Sequence, residues 1–320
     1  MPSALITGVN GQDGSYLAEL LLERGYEVVG LVREDAGDRL GRIQHLRSQI
    51  QIIPGSLLDD ALLRRILEQH RPREVYNFAA RASSSQLLAD PTFTAEYNGL
   101  AVVRLLEAIR TVDPSIRFCQ ASSSEMFGTV SQSPQNELTP FRPRNPYGVA
   151  KLFAHGMVGT YRDNFGVFGC SAILFNHESP RRGPEFVTRK ITMGVARIRA
   201  GRSRSLPLGD LDVTRDWGFA GDYVRAMWQM LQADIADDYV VATGVSHSVR
   251  EFCELAFDHI GLDYRAYVET DPRARRPPES MPLVGDAAKA RRVLGWRPSI
   301  SFEQLVRTMV DADIVAQQVA

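Results

Sequence analysis

The sequence predicts an α/β fold built around a doubly wound parallel sheet, and three observations lead to this prediction. Apolar runs typical of strands alternate with runs of helical periodicity through the first half of the chain. A glycine-rich turn joins the first strand to the first helix. Polar side chains follow the fourth and fifth strands, at the edge where such sheets bind ligands. We expect a smaller mixed α/β region at the C-terminal side.

The predicted elements alternate in a regular order. The strand-like runs are residues 4–7, 27–32, 51–53, 74–78, 116–121 and 168–175, and the helical runs are residues 15–24, 59–70, 91–110 and 151–165. Strands joined by helices pair in parallel through right-handed crossovers. The sheet should therefore carry helices on both faces.

The glycine-rich turn follows the first strand with the spacing GxxGxxG, formed by Gly8, Gly11 and Gly14. Such a turn can be purely structural. Here a strand precedes it, and a helix and a second strand follow it, so bare backbone and the helix N-terminus could receive a pyrophosphate. This context indicates a Rossmann-type dinucleotide-binding domain. We assign residues 1–175 to that domain, completed by parts of residues 210–245, and residues 176–320 to a non-contiguous substrate-binding region.

The second strand ends in charged residues that bear on the choice of dinucleotide. Arg33 would suit the 2′-phosphate of NADP, whereas an acidic residue there would suit the ribose of NAD. Glu34 and Asp35 follow directly and would repel a phosphate if they pointed the same way. A solvated loop of mixed charge is the alternative. We expect NADP rather than NAD.

The composition limits the partners and the location. The chain has 320 residues, 44% of them apolar, and a formal net charge of −1. This balance argues against binding nucleic acid or a membrane surface through bulk charge, and no apolar run approaches the roughly 20 residues of a membrane span. Cys119, Cys170 and Cys253 lack metal-ligand spacing and are expected to be buried thiols. We expect a cytoplasmic protein without a metal site.

Acid–base side chains are concentrated between residues 119 and 151. Tyr147 and Lys151 share one helix face, so the ammonium could favour the phenolate of a tyrosine whose ordinary pKa is about 10. Tyrosine and lysine at this spacing also occur on solvated helices. Ser123 and Glu125, however, stand where the fifth strand ends, next to the predicted ligand site. The four side chains are therefore candidate catalytic residues.

Together these motifs resemble the extended short-chain dehydrogenase/reductase family. They are GxxGxxG, Asn77-Phe-Ala-Ala80, Ser-Ser-Glu after the fifth strand, and Tyr147-x-x-x-Lys151. Within that family, the blocks ASSSEMFG, LFNHESPRRGPEFVTRKIT and LGDLDVTRDWGFAGDYVRAMWQMLQ resemble the GDP-mannose 4,6-dehydratases. The resemblance runs from about residue 4 to residue 298. It implies an NADP-dependent lyase that removes water from a GDP-sugar.

The resemblance also implies a role for each catalytic candidate. Tyr147, tuned by Lys151, would take the proton of the hydroxyl on carbon 4, and Ser123, where the family has Thr, would bond the oxygen on carbon 4. Glu125 would take the proton on carbon 5. A reductase or epimerase of the same fold has no use for that carboxylate, whereas elimination requires a base. Such an oxidoreductase, with Glu125 as an idle loop acid, is the alternative.

Further residues fall on cofactor and substrate positions of the family. Around the cofactor these are Gly8, Asn10, Gly11, Gln12, Asp13, Gly14, Arg33, Leu57, Ala79, Ala80, Tyr147, Lys151, His177 and Arg182. Around the substrate they are Ser84, Ser124, Asn176, Glu178, Val187, Lys190, Gly209, Arg215, Arg276 and Glu279. Arginine forks suit phosphate oxygens, and a glutamate can accept from ribose hydroxyls. We expect His177 to pack beside the site rather than act as a catalyst.

The adjacent cations Arg181 and Arg182 follow a proline on a loop that we expect to project. In similar enzymes such a loop reaches the neighbouring subunit near its cofactor phosphate. The resemblance therefore implies self-association as a homotetramer or dimer. A solvated basic turn is the alternative.

Three departures from the family pattern affect the cofactor and the sugar. Ser56 stands where an Asp is usual near the adenine, and Glu34 replaces a second Arg. The run Arg81-Ala82-Ser83 replaces Gln-Ser-His near the hexose. Because this last change lies beside the ring, GDP-D-glycero-D-manno-heptose is an alternative to GDP-D-mannose as the substrate.

Overall fold

The computed structural model describes residues 1–81, 89–270 and 281–319, without the side chains of residues 34–39 and 319. The strands are β1 Ser3–Thr7, β2 Glu27–Val32, β3 Gln51–Pro54, β4 Glu74–Asn77, β5 Arg117–Ser123, β6 Gly169–Leu174, β7 Asn176–Glu178, β8 Leu206–Leu208, β9 Thr214–Phe219, β10 Asp238–Val241, β11 Ser246–Ser248 and β12 Val268–Thr270. The helices are α1 Gln12–Glu23, α2 Asp60–His70, α3 Pro91–Ala95, α4 Ala101–Val112, α5 Pro146–Phe165, α6 Val187–Arg199, α7 Ala220–Gln232, α8 Val249–Asp258, α9 Ala288–Leu294 and α10 Phe302–Val319. Short 3₁₀ segments span Glu34–Leu46, Ser124–Met126 and Tyr264–Ala266.

A parallel sheet of seven strands, in the order β10-β6-β5-β4-β1-β2-β3, forms the centre of the molecule. The order reverses between β1 and β4, which is the point where ligands bind in doubly wound sheets. A buried polar ladder crosses this point: Thr7 Oγ1 donates to Asn77 Oδ1 at 2.6 Å, and Asn77 Nδ2 donates to Gln120 Oε1 at 2.8 Å. The predicted α/β fold class is confirmed.

Helices pack on both faces of this sheet. On one face α1 and α7 bury side chains such as Leu17 and Met227 against the strands. On the other face α2, α4 and α5 contribute residues such as Leu63 and Leu105. Helix α7 thus packs on the central sheet, although in the sequence it lies after residue 176, where the second region begins. Among the described helices, none is long and apolar enough to cross a membrane.

The second region contains two small sheets and its own core. Strands β11, β9 and β7 form one sheet, and β12 pairs with β8 in the other. Helices α6, α8 and α10 pack beside them around residues such as Trp217, Phe252 and Met309. All three cysteines of the chain are buried, and none forms a disulfide.

One predicted helix differs in the structure. The run predicted as a continuous helix over residues 91–110 is divided into α3 and α4 by a π-helical turn at Glu96–Leu100. The buried Asn98 lies in this turn; its Oδ1 accepts from Arg81 N at 2.8 Å, and its Nδ2 donates to Arg81 O at 3.1 Å. Residue 81 follows β4, so this tertiary contact ties the wider turn to the sheet edge.

Candidate active site

A cleft of about 740 Å³ opens at the carboxyl ends of the strands around the switch point. The predicted cofactor residues that line it are Gly8, Asn10, Gly11, Gln12, Asp13, Gly14, Arg33, Leu57, Ala79, Ala80 and Arg182. The remaining predicted cofactor residues are Tyr147, Lys151 and His177, which are described below. The cleft has room for a ligand of dinucleotide size.

The glycine turn leaves bare backbone at the floor of the cleft. Gly8 has φ of +68°, a conformation that side chains disfavour, and a Cβ on it would lie 3.0 Å from the backbone of Ala79. A Cβ on Gly14 would come within 2.4 Å of Gly8 O. Gly11 precedes the first residue of α1, so unpaired helix N–H groups face this turn. The turn therefore fits a dinucleotide pyrophosphate.

Ser123 and Tyr147 meet where β5 ends. Ser123 is the last residue of β5, and its hydroxyl accepts from Glu125 N at 3.2 Å. Burial raises the pKa of Tyr147 to about 12, although a hydrogen bond from Ser123 and the charge of Arg182 act in the opposite direction. Without a ligand the phenol therefore stays protonated at neutral pH. A cationic ligand beside it would be needed to bring its pKa down.

Lys151 lies one helical turn after Tyr147 and is almost fully buried. Its Nζ donates to Ala121 O at 2.7 Å and lies 5.6 Å from the centre of the Tyr147 ring. Burial lowers the pKa of Lys151 to about 8, and the negative charge of Asp13 partly opposes this shift. The ammonium is thus held beside the phenol by a backbone carbonyl of β5.

Glu125 is half-buried beside Ser123 and is held by Asn145. Asn145 Nδ2 donates to Glu125 Oε2 at 2.8 Å, while Asn145 Oδ1 accepts from Gly148 N at 2.8 Å and caps α5. The same side chain therefore starts the helix that carries Tyr147 and orients the carboxylate. The hydroxyl of Ser123, the carboxylate of Glu125, the phenol of Tyr147 and the ammonium of Lys151 therefore lie near the end of β5. Such groups can transfer protons to and from a bound ligand.

His177 forms a partly buried ion pair with Asp13, which lies in the first turn of α1. His177 Nε2 and Asp13 Oδ2 are 3.0 Å apart, and His177 Nδ1 lies 2.8 Å from Phe175 O. Burial disfavours the imidazolium, but the carboxylate outweighs burial and raises the pKa of His177. Burial likewise opposes ionisation of Asp13, yet His177 lowers its pKa. His177 also stacks on Tyr223 with ring centres 4.8 Å apart. These contacts place it beside the site as packed support.

Arg182 lines the cleft, and Glu178 lies beside it. Glu178 is buried; its Oε2 accepts from Thr188 Oγ1 at 2.6 Å and lies 3.1 Å from Arg182 Nε. The Arg182 guanidinium also lies 3.6 Å above the Phe186 ring. Glu178 was predicted to bind substrate. In the structure its carboxylate contacts Thr188 and Arg182, and its predicted role toward substrate stays a prediction.

The predicted interface arginines contact their own chain. Arg181 pairs with Glu19 at 2.6 Å and lies 4.1 Å above the Tyr16 ring. Arg182 pairs with Glu178 as described. The projection of this loop toward a second subunit therefore stays a prediction.

The predicted substrate residues fall at several places around the site. Ser124 is buried directly after β5; Asn176 and Arg215 lie on the adjacent strands β7 and β9; Val187 and Lys190 lie on the exposed side of α6; Gly209 follows β8. Ser84, Arg276 and Glu279 lie outside the described residues, as do Ala82 and Ser83. Asn176 and Arg215 thus share one small sheet.

Two side chains at the site were missed by the sequence analysis. Asn145 was readable as a helix cap from the Asn-Pro pair, but not as the donor to Glu125, which is 20 residues away. Arg42 lines the cleft, and its Nε donates to Arg181 O at 2.7 Å. No local pattern marks Arg42, because it lies in a segment without helical or strand periodicity.

Comparisons with known proteins identify the family of this chain. A family model described as GDP-mannose 4,6 dehydratase matches residues 5–309. GDP-mannose 4,6 dehydratase 1 of Arabidopsis thaliana is 48% identical over 323 residues, covering 97% of this chain and 89% of that protein. GDP-mannose 4,6 dehydratase of Homo sapiens is 45% identical over 338 residues, covering 97% and 91%.

Two solved structures share the fold. RMD from Pseudomonas aeruginosa complexed with NADPH matches with a TM-score of 0.85 and 24% identity, covering 99% of this chain and 100% of that one. dTDP-glucose 4,6-dehydratase from Bacillus anthracis in complex with NAD matches with a TM-score of 0.87 and 21% identity, covering 99% and 98%. At these identities the likeness concerns the fold alone. The family model and the full-length relatives go further: this chain belongs to the GDP-mannose 4,6-dehydratase family.

Proposed function

We propose that this chain is an NADP-dependent GDP-mannose 4,6-dehydratase, a hydro-lyase that converts GDP-D-mannose to GDP-4-keto-6-deoxy-D-mannose. The observation that carries the proposal is the Glu125 carboxylate, held by Asn145 beside Ser123 and Tyr147. An elimination needs a base there, whereas a simple reductase does not. The names of the full-length relatives support mannose over the heptose alternative.

The protein side chains divide the proton transfers among them. Tyr147 takes the proton of the hydroxyl on carbon 4 while Ser123 bonds the same oxygen. The resulting ketone acidifies the hydrogen on carbon 5, which Glu125 removes as a proton. The carboxyl then holds the proton that the hydroxyl on carbon 6 needs to leave as water. Carbon 5 then regains a proton, which balances the one that Tyr147 took from the hydroxyl on carbon 4, so the net change is the loss of one water.

A nicotinamide cofactor held in the cleft would supply a reversible acceptor for the hydride that leaves carbon 4 and is regained at carbon 6. Gly8, Gly11 and Gly14 would hold its pyrophosphate. The two solved structures named above bind NADPH and NAD respectively, so they support a nicotinamide cofactor without choosing between the two. Arg33 and Arg42 both line the cleft. Two cations in the lining of the cleft favour the 2′-phosphate, and therefore NADP.

Cations of the second region would bind the GDP diphosphate. Arg215 on β9 and Lys190 on α6 are the described candidates, and Asn176 lies on the strand next to Arg215. Self-association through Arg181 and Arg182 is part of the proposal. Native mass spectrometry of the purified protein tests it, and a monomer at micromolar concentration would rule it out.

The activity test is product analysis. The purified protein is incubated separately with GDP-D-mannose and with GDP-D-glycero-D-manno-heptose, and the products are measured by mass spectrometry. We expect loss of one water from GDP-mannose without added reductant, because the hydride is returned within each turnover. Reduced product that retains its oxygen, formed only with added NADPH, would favour a net oxidoreductase. Intact sugars from both incubations, with NADP bound to the protein, would refute the proposal.

A further inference from the structure

One wall of the cleft is a loop at residues 180–186, here named the cleft loop. Its residues Arg181, Arg182 and Phe186 line the cleft beside the glycine turn. The loop lies between the end of β7 and the start of α6, and it contains no strand or helix. Its position therefore depends on side chains that reach its backbone.

Two arginines from separate elements hold three consecutive carbonyls of the cleft loop. Arg189 on α6 donates through NH1 to Pro180 O and, at 3.2 Å, to Arg182 O. Arg42 donates through Nε to Arg181 O at 2.7 Å. Charged donors on neutral carbonyls form strong hydrogen bonds. The guanidinium of Arg189 thus fixes both ends of the turn that presents Arg181 and Arg182.

Arg189 is in turn oriented by Asp313 on the last helix, α10. Arg189 Nε lies 3.0 and 2.9 Å from the two carboxylate oxygens of Asp313, and NH2 lies 2.6 Å from Oδ1. Thr192 Oγ1 donates to Asp313 Oδ2 at 2.6 Å. Asp313 is only 2% exposed, so its charge is buried and fully engaged by these donors. The fork geometry leaves NH1 of Arg189 pointing at the loop carbonyls.

We propose that Asp313 is a positioning residue for the cofactor: it orients Arg189, which holds the cleft loop in the shape that closes one wall of the cofactor cleft. The inference rests on the proposed function, since it takes the cleft to be the nicotinamide cofactor site. Asp313 acts through Arg189 and the loop backbone and is not one of the cleft-lining residues. Asp313 therefore influences cofactor affinity although it lies far along the sequence from the candidate catalytic residues.

A simpler interpretation is that Asp313 only links α10 to α6 and stabilises the fold. The two interpretations predict different behaviour of the cleft loop when Asp313 is replaced. If Asp313 positions the loop, removing its charge releases the loop and weakens cofactor binding while the global fold persists. If Asp313 only stabilises, any loss of binding follows the loss of folded protein.

The experiment compares Asp313→Asn with Asp311→Asn in the full-length protein. Asp311 lies on the same helix but is exposed, and it pairs with His259 at 2.7 Å on the surface, so it is a matched control. NADPH affinity is measured by fluorescence titration. Release of the loop is measured by brief trypsin digestion, with cleavage after Arg181 or Arg182 mapped by mass spectrometry. Thermal unfolding of each variant monitors the fold.

We expect Asp313→Asn to weaken NADPH binding by about tenfold or more and to speed cleavage after Arg181 or Arg182, because a loosened supporting group misplaces the binding wall. Asp311→Asn should match the wild type in both. Arg189→Lys keeps a charge opposite Asp313 but cannot span it and two carbonyls, so it should behave like Asp313→Asn. This second variant decides the matter if Asp313→Asn does not fold.

Unchanged NADPH affinity and unchanged loop cleavage in a folded Asp313→Asn protein, or in Arg189→Lys, would overturn the inference. Equal weakening in Asp311→Asn would overturn it as well, since the effect would not be specific to the loop. A wild-type protein that binds no nicotinamide cofactor would refute the proposed cofactor site instead. In that case faster loop cleavage in Asp313→Asn would still show that Asp313 holds the loop.

Discussion

At the scale of single residues, Asn145 links the start of a helix to the carboxylate that we propose as the catalytic base. Its oxygen caps α5 through Gly148 N, and its nitrogen donates to Glu125. A hydrogen bond to a charged group contributes about 1.5–3 kcal/mol. Asn145 therefore orients the Glu125 carboxylate, in addition to starting the helix that carries Tyr147.

Asn145→Asp separates these two tasks. The new carboxylate can still cap α5, but it cannot donate to Glu125 and repels it. We expect the thermal midpoint to change little and the dehydration rate to fall about tenfold or more, which corresponds to about 1.4 kcal/mol or more of lost transition-state stabilisation. Asn145→Ala should lose both tasks and also about 1 kcal/mol of stability. Steady-state rates and thermal unfolding check this, and a wild-type rate in Asn145→Asp would contradict it.

Lys151 gives the folding stability a defined pH dependence. Its pKa is about 8 in the folded protein because of burial, whereas a lysine in an unfolded chain titrates near about 10.4. Between these values the unfolded chain binds more protons than the folded one, so this residue makes stability rise with pH from about 8 to about 10. We expect Lys151→Met to lack this rise, which amounts to about 3 kcal/mol.

Urea unfolding of the wild type and of Lys151→Met at several pH values between 7 and 10 measures the difference. Other lysines and tyrosines also titrate in this range, but they are common to both proteins, so the difference isolates Lys151. Parallel pH profiles for the two proteins would show that the ammonium is not desolvated as described.

Sequence reasoning could predict which residue types act at the site better than it could predict their contacts. The spacing of Tyr147 and Lys151 implied a shared helix face, which local geometry determines. The bond from Lys151 to Ala121 O could not be read from the sequence, because it joins residues 30 positions apart. The bond from Arg42 to Arg181 O joins residues 139 positions apart and could not be predicted either. Contacts between distant segments depend on how elements pack.

At the scale of elements, the β1–α1 turn tolerates no side chain at its third glycine. A Cβ on Gly14 would lie 2.4 Å from Gly8 O and 2.6 Å from Val9 Cα, so the backbone of the turn must move. We expect Gly14→Ala to weaken NADPH binding by at least tenfold, measured by fluorescence titration.

Gly156 on α5 is the matched control. A Cβ there would meet no atom within 4 Å, and the residue is exposed. Gly156→Ala should keep NADPH affinity and raise the free energy of unfolding by about 0.5–1 kcal/mol, because alanine favours helix. Wild-type NADPH affinity in Gly14→Ala would contradict the account of the turn.

Elements of the sheet could be predicted well because buried parallel strands are continuous apolar runs. The π-helical turn at Glu96–Leu100 could not, because it is coupled to Asn98 bonding the backbone of Arg81 rather than to a break in helical periodicity. The short strands β7, β8, β11 and β12 have three residues each, which is too few to show an alternating pattern. The predicted substrate residues Asn176 and Gly209 nevertheless lie on β7 and directly after β8.

At the scale of the whole molecule, the C-terminal part of the chain contributes to the N-terminal core. Trp296 is 1% exposed, packs in the cluster that contains Leu17, and donates through Nε1 to Asp222 O at 2.8 Å. The division into residues 1–175 and 176–320 is therefore crossed by buried contacts. We infer that both regions unfold together.

Trp296→Ala tests this coupling. Removing a buried tryptophan costs about 3–5 kcal/mol. Trp217 remains in the core of the second region and Trp228 remains against the first core, so tryptophan fluorescence still reports on both. We expect fluorescence and far-UV circular dichroism to follow one transition that shifts to lower urea. Two separate transitions in the fluorescence, with the Trp228 signal shifted to lower urea and the Trp217 signal unshifted, would indicate two independent units.

The family resemblance and the fold class, both predicted from the sequence, are confirmed. The glycine turn and the long motif blocks were sufficient for that, since they report local structure and family membership. The assignment of individual binding residues, and of NADP over NAD, depends on distances that only a folded chain provides.

The most direct test of the proposed elimination is product analysis of Glu125→Gln with GDP-D-mannose. The variant keeps the shape of the side chain and removes the base for carbon 5. We expect reduced cofactor to accumulate on the protein, because carbon 4 is still oxidised, while formation of the dehydrated sugar falls about 10²–10⁴-fold. Dehydrated sugar formed at the wild-type rate would contradict the assignment of Glu125 and, with it, the account of this site as a dehydratase.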